Sequence, residues 1–136
     1  MATHHKRRQN RQNAYHKRNL ILKEIGFQSY SAYLKSDTWA ELKAFVLRKS
    51  PNCFACSRKA TQVHHRFYSK LVLQGKSDAG LYAVCGSCHY HSEFREHDHL
   101  KLTPKQATTK LKQLKTWRVK RKQRFIDWFV GKADDF

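Results

Sequence analysis

A chain of 136 residues, 40% of them hydrophobic, has room for one small domain with a thin core. It contains no apolar run long enough to span a bilayer, which excludes a protein built of membrane helices. Its formal net charge of +18 points to a polyanionic partner, because each Lys or Arg set against a phosphate backbone is rewarded by counterion release.

The charge is concentrated at the ends. Residues 1–19 carry six Lys/Arg and no acid, residues 101–136 carry eleven against three acids, and residues 53–99 are nearly balanced at six against four. Two basic arms thus flank a more neutral centre. Residues 1–14 are polar and lack apolar periodicity, so a basic arm that is disordered or folds on nucleic acid is expected there, with Arg7, Arg8 and Arg11 available to phosphate. The same residues lack the apolar stretch of a secretory leader, and a cytoplasmic, reducing setting is expected.

The region 15–52 reads as helical. Tyr15 to Ile25 predicts a short helix with Leu20, Ile21 and Ile25 on one face and Gly26 as its stop. Residues 27–34 predict a short helix or turn. Thr38-Trp-Ala-Glu41 reads as a capping box opening a helix to about Lys49, with Trp39, Leu42, Phe45 and Val46 facing the core. The region 53–99 then reads as strand, loop, strand, helix: β-prone residues from Thr61 to Phe67, a loop from Tyr68 to Gly80, a strand from Leu81 to Val84, and a helix from Ser87 to about Glu96. In residues 100–136, Thr103-Pro104-Lys-Gln106 is a second helix start. A helix from there to Val130, stopped by Gly131, would be roughly 40 Å long. Leu111, Leu114, Phe125 and Trp128 lie near one stripe of it. Its middle is basic almost all round, through Lys115, Arg118, Lys120, Arg121, Lys122 and Arg124, and suits a phosphate backbone. A solvated helix docked by its aromatic end is the other reading.

Four cysteines punctuate the centre. Cys53-Phe-Ala-Cys56 and Cys85-Gly-Ser-Cys88 are separated by 28 residues, the pattern of two knuckles that close a tetrahedral structural zinc site. Two disulfides are formally possible as well. Histidines lie beside these cysteines. His64-His65 sits on a predicted strand, where alternation sends neighbouring rings to opposite faces, so both serve one site only if the strand ends there. His89 follows Cys88 about 100° further round the helix, and Glu93 lies one turn on, on the face of His89. His97 continues that face; His91 and His99 read as surface residues.

From Tyr30 to Glu93 the chain resembles the zinc-stapled HNH endonucleases common in phages and mobile elements. The elements that carry the resemblance are Tyr33-Leu34-x-Ser36-x-x-Trp39, the first Cys pair, Val63-His64-His65-Arg66-x-Tyr68, and Leu81-x-x-Val84-Cys85-x-x-Cys88-His89. The resemblance implies an α+β fold with a ββα-metal (His-Me finger) core stapled by zinc. It implies His65 as general base, and His64 and His89 as ligands of a catalytic Mg²⁺ or Mn²⁺, although imidazoles also accept Zn²⁺ or Ni²⁺. Arg66 joins the basic residues expected on DNA. A site of this kind cuts one strand, so a monomer would nick. Two positions depart from the family pattern. Gly80 stands where a middle Asn or Asp is usual, and Asp78, two residues earlier, is the candidate replacement, against the reading of a turn aspartate. Glu93 stands where many relatives have a histidine, and its carboxylate suits a hard cation or solvent. The competing functions are a zinc-stapled DNA- or RNA-binding module that has lost its nuclease centre, which Gly80 favours, and a basic RNA-associated zinc ribbon, which leaves His64, His65 and His89 without a role.

Overall fold

The protein is seen in a computed structural model that describes residues 4–95 and 98–133, without the side chains of His4, His5, Arg7, Asn10, Arg11 and residues 127–133. The elements are α1 (His4–Glu24), α2 (Tyr30–Leu34), α3 (Asp37–Lys49), β1 (Gln62–His65), α4 (Lys70–Leu73), β2 (Leu81–Val84), α5 (Gly86–Glu93) and α6 (Pro104–Ala133). The fold is α+β, with a two-stranded sheet among helices.

The basic arm is not disordered: α1 is helical from His4, eleven residues before the expected start. Lys, Arg, Gln and Ala are good helix formers, and neither Gly nor Pro occurs before Gly26. Among the described side chains of α1, full burial is reached only in the last turns. Leu22 is buried, Ile21 and Ile25 pack beside it, and Leu20 stays exposed instead of sharing their face. Gly26 ends the helix in a left-handed conformation at φ +103°. The Gly26 N–H donates to the Lys23 carbonyl at 3.2 Å and the Phe27 N–H to the Leu22 carbonyl at 2.8 Å, the paired bonds of a Schellman stop.

Ser29 caps α2, its Oγ accepting from the Ala32 N–H at 3.0 Å. The cap of α3 is Ser36, not Thr38: its Oγ accepts from the Trp39 N–H at 3.3 Å, which places Thr38 and Glu41 inside the helix. Trp39, Leu42 and Val46 are buried as helical spacing requires, whereas Phe45 is exposed. The expected loop 68–80 contains the single-turn helix α4, begun by Ser69 Oγ accepting from Val72 N–H. Val72 and Leu73 are thereby buried.

β1 and β2 are antiparallel, with Gln62 opposite Val84, Val63 opposite Ala83, His64 opposite Tyr82 and His65 opposite Leu81. Both faces of this small sheet are covered. Val63 and Ala83 join Leu22, Tyr33, Trp39, Leu42, Val46, Val72 and Leu73 in the larger core. Val84 joins Cys53, Ala55, Cys88 and Leu111 in the smaller one.

α6 opens with both halves of its box formed. The Gln106 N–H donates to Thr103 Oγ1 at 3.2 Å, and the Thr103 N–H donates to Gln106 Oε1 at 3.0 Å. The helix continues through Gly131 to Ala133. Leu111 is fully buried and Leu114 half-buried, but Phe125 is 63% exposed, so the apolar stripe does not reach that far; the Trp128 side chain lies outside the described residues. α5 stops at Glu93, three residues short of the expected end, and the next residue, Phe94, is extended and bridges Lys101. No described helix is long and apolar enough to cross a membrane.

Candidate functional site

The four cysteines converge. Cys53 and Cys56 lie on a turn between α3 and β1, held by the Cys53 N–H donating to the Arg58 carbonyl at 2.6 Å and the Phe54 N–H to the Ala83 carbonyl at 2.8 Å. Cys85 caps α5 and Cys88 lies in its first turn. All four sulfurs fall within 4.8 Å of one another, and none is in a disulfide. Such crowding penalises thiolates in the absence of a cation. Burial and the neighbouring sulfurs hold Cys88 far above the ordinary thiol value and raise Cys56. For Cys85 burial acts the same way, but the Cys88 N–H and the other thiols outweigh it and bring the group down to about 7. The cluster could hold a metal ion such as zinc, whose charge stabilises all four thiolates together.

A second group is formed by His64, His89 and Glu93, whose ligand atoms also lie within 4.8 Å of one another. Its hydrogen bonds decide which nitrogens carry protons. Thr108 Oγ1 donates its one hydrogen to the Pro104 carbonyl at 2.9 Å. Towards His64 it can only accept, so His64 Nε2–H is the donor in their 2.8 Å contact. The free lone pair of His64 is therefore on Nδ1. Burial, aided by His89, lowers the pKa of His64 to about 4 and keeps that lone pair available at neutral pH. His89 Nδ1 lies 2.7 Å from Gln62 Oε1, an acceptor, so Nδ1 carries a proton there as well. Its Nε2 lies 3.0 Å from Glu93 Oε1. A bare nitrogen and a carboxylate oxygen that close repel unless a proton or a cation lies between them. One ligand atom of each residue thus lies within 4.8 Å of the others, and each imidazole is oriented from behind by an acceptor on its other nitrogen, a donor set that could hold a divalent cation. Glu93 is kept ionised below its usual range, chiefly by the bond from His89 and against the effect of burial.

His65 is outside this group. β1 ends at His65, and its ring is stacked between Trp39 and Tyr68, at 4.9 Å from each. Its Nε2 is buried with no hydrogen-bond partner. Burial first, and then His64, His89 and Arg18, lower its pKa to about 3. Both adjacent histidines nevertheless line one cavity of about 120 Å³, together with His89, Glu93, Tyr15, Arg18, Tyr30, Tyr68 and Lys101. The alternation of a strand and the convergence on one site are compatible because the strand stops there.

Asp78 does not join the histidines. Its carboxylate pairs with Lys49 Nζ at 2.9 Å, which holds its pKa below the ordinary value, and it lines a different cavity with Thr38, Glu41 and Phe45. The expectation that Asp78 supplies a ligand is corrected accordingly: the positive φ of Gly80 turns the chain between Asp78 and β2, and the carboxylate falls on the α3 side. Its carbonyl does brace the loop, accepting from the Leu81 N–H at 3.1 Å.

The basic residues are dispersed. Lys120, Arg121, Lys122 and Arg124 are exposed along α6, and Arg8 is exposed on α1. Lys115 lies 4.4 Å over the Phe54 ring beside the cysteines. Arg66 is half-buried. Arg118 is half-buried too, with an unpartnered Nε, and so belongs to the docked side of α6. The side chains of Arg7 and Arg11, and all of His97, lie outside the described residues. His91 and His99 are exposed.

Sequence reasoning missed Gln62, Thr108 and Arg18. Gln62 was accessible in principle, since it lies two residues before His64 on the same strand face. Thr108 and Arg18 reach the site only through packing of α6 and α1. Comparison with known proteins finds no matching family model, no matching curated protein and no matching solved structure.

Proposed function

We propose that this protein is a metal-dependent endonuclease of the HNH type that hydrolyses DNA phosphodiester bonds, nicking one strand as a monomer. The observation that carries the reading is the pairing of two unlike elements in one cavity: a three-donor set at His64, His89 and Glu93, and the imidazole of His65, kept neutral by burial, lining the same cavity. The β1–β2–α5 unit that holds them is read as a ββα-metal core.

The residues fit both metals. Cys53, Cys56, Cys85 and Cys88 would hold a structural zinc with no open position. His64 Nδ1, His89 Nε2 and Glu93 would hold the second cation, with Mg²⁺ or Mn²⁺ favoured by a phosphate substrate and Zn²⁺ or Ni²⁺ compatible with two imidazoles. When bound, that cation supplies charge stabilisation to the phosphate and to the leaving oxygen. The side chains do the rest. His65 takes a proton from the attacking water, and the arriving phosphate anion favours the imidazolium that results. Trp39 and Tyr68, each stacked on the ring at 4.9 Å, hold its orientation. Gln62 and Thr108 fix the two ligand rings.

The test is supercoiled plasmid incubated with Mg²⁺, with Mn²⁺ and with EDTA. Metal-dependent open circle is expected from the wild-type protein. His65→Ala is expected to be slower by about 10²–10⁴-fold, the usual share of a general base, at unchanged zinc content. Equal cleavage by the variant would remove His65 from that role. The second reading, a zinc-stapled DNA- or RNA-binding module, is favoured by one observation: the middle motif position is Gly80, and no carboxylate from that loop reaches the histidines. A plasmid that is shifted but uncut in every metal would support it.

A further inference from the structure

Part of the cavity lining is left unused by the proposed chemistry. Arg18, from α1, lines it together with His64, His89 and Glu93. Its guanidinium carbon lies 3.7 Å from the centroid of Tyr30, 4.8 Å from Tyr15 and 5.3 Å from Tyr68. Three aromatic rings thus surround one planar cation. Tyr68 is also the ring that stacks on His65, so Arg18 and the proposed base are fixed by a shared neighbour.

Such rings hold a guanidinium, with Tyr68 also hydrogen-bonded to it, and leave its remaining N–H groups to a ligand. Among the described residues no carboxylate is within ion-pair distance of Arg18, and its Nε–H donates to the neighbouring Asn19 Oδ1 at 3.2 Å. A second cation, Lys101, lines the same cavity, 5.1 Å over Tyr15. The half-buried Arg18, the exposed Lys101 and a set of cation ligands around one small cavity describe a pocket for a single anion. A phosphodiester group has that character: one non-bridging oxygen can face the cation ligands while another accepts from a guanidinium fork.

We propose that Arg18 is a phosphate-binding residue of this site, gripping the non-bridging oxygens of the phosphodiester in the cavity it shares with His64, His89 and Glu93. The proposal rests on the nuclease reading for its catalytic consequence, but not for the binding itself. It makes α1 part of the site and not only an electrostatic arm.

The zinc-loaded protein, without any other divalent ion, is titrated with inorganic phosphate while the side-chain Nε–H resonances of its arginines are followed by NMR. The Arg18 signal is assigned by its disappearance in Arg18→Lys. A saturable shift of that signal is expected. An Arg18 signal unmoved at phosphate concentrations that shift other arginines, or unmoved throughout, overturns the proposal. In parallel, Arg18→Met and Arg18→Lys are compared in plasmid cleavage. At saturating DNA the rate is expected to fall by about 10²-fold in Arg18→Met, as for removal of one oriented donor, with DNA affinity changed less than about threefold. A residue that merely anchors α1 would instead lower the melting temperature and leave the cleavage rate of the folded fraction intact, and that result also overturns the proposal. Should Arg18→Met fail to fold, Arg18→Lys, which keeps the charge and loses the fork, serves in its place with an expected loss of about tenfold. A phosphate-responsive Arg18 in a protein that leaves DNA uncut in every metal would sustain the phosphate site and defeat the nuclease reading. Cleavage that persists in Arg18→Met would do the reverse.

Discussion

Gly80 has a conformational reason to be glycine. Its φ is +73°, and a Cβ built on it would lie 2.6 Å from Phe67 Cε1. The backbone there accepts a bond from the Arg66 N–H at 2.8 Å, so the turn closes the open end of the sheet beside His65. An L-residue in this region costs about 1–2 kcal/mol, and Asn tolerates it better than Ala. The Phe67 ring is 43% exposed and can swing aside, so the contact adds less than the backbone does. Gly80→Ala is expected to lower unfolding stability by about 1–2 kcal/mol and Gly80→Asn by less. In a Phe67→Ala background the Ala cost should shrink towards the backbone share. Denaturant titration of the single and double variants checks this; equal costs for Ala and Asn in both backgrounds would show that neither φ nor the ring matters. Glycine at 80 is thus bound up with how the turn is built, and the nearby Asp78 is paired with Lys49.

Element by element, the sequence was legible where a local rule has one solution. The box at Thr103 and Gln106, the strand Leu81–Val84, the facing of Trp39, Leu42 and Val46, and the pairing of His89 with Glu93 follow from spacing alone. It was not legible where two local solutions compete or where docking decides. Ser36 and Thr38 are both competent caps, and the backbone entering from Tyr33 selects Ser36. Charge without apolar periodicity read as disorder or as folding on nucleic acid in residues 1–14, yet a run rich in Lys, Arg and Gln, free of Gly and Pro and anchored at Leu22, extends as helix. α6 combines both cases: its start is local, and the end of its docked stretch is set by what it lies against. Beyond Leu114 its described side chains are exposed except Arg118. The four exposed cations Lys120, Arg121, Lys122 and Arg124 are therefore the ones placed for phosphate. Reversing all four to Glu should weaken duplex DNA binding. It should also flatten the plot of log affinity against log salt by about 0.9 for each phosphate that is no longer neutralised. Anisotropy titrations at several salt concentrations measure the slope, and an unchanged slope would assign the α6 charges to solvent.

At the scale of the whole molecule, the candidate site is where the two cores meet. The sheet puts Val63 and Ala83 into one and Val84 into the other, and the last residues of β1 close the gap between them with imidazoles in place of apolar side chains. Burial there has a consequence for stability. His64 and His65 are 3% and 5% exposed, and burial ahead of the neighbouring histidines lowers their pKa values to about 4 and about 3 from 6.5. The sign follows from linkage: below 6.5 the unfolded chain takes up protons that the folded chain refuses, so stability is full above that pH and falls as the pH drops towards 4 and 3. Glu93, with a lowered pKa, adds loss in the same direction once the pH enters the carboxylate range. Metal thiolates also protonate on acidification, so the raw pH profile of the zinc-loaded protein mixes two causes. Comparison with His65→Gln separates them, since that variant keeps Cys53, Cys56, Cys85 and Cys88 and removes one buried titrating ring. The difference in denaturation midpoint between wild type and variant is expected to be constant above about pH 7. Between about 6.5 and 4 it should move steadily in favour of the variant, by the protons that His65 alone takes up on unfolding. A difference that is flat across this range would mean that the His65 ring is free to ionise in the folded protein, and hence that Trp39 and Tyr68 do not enclose it.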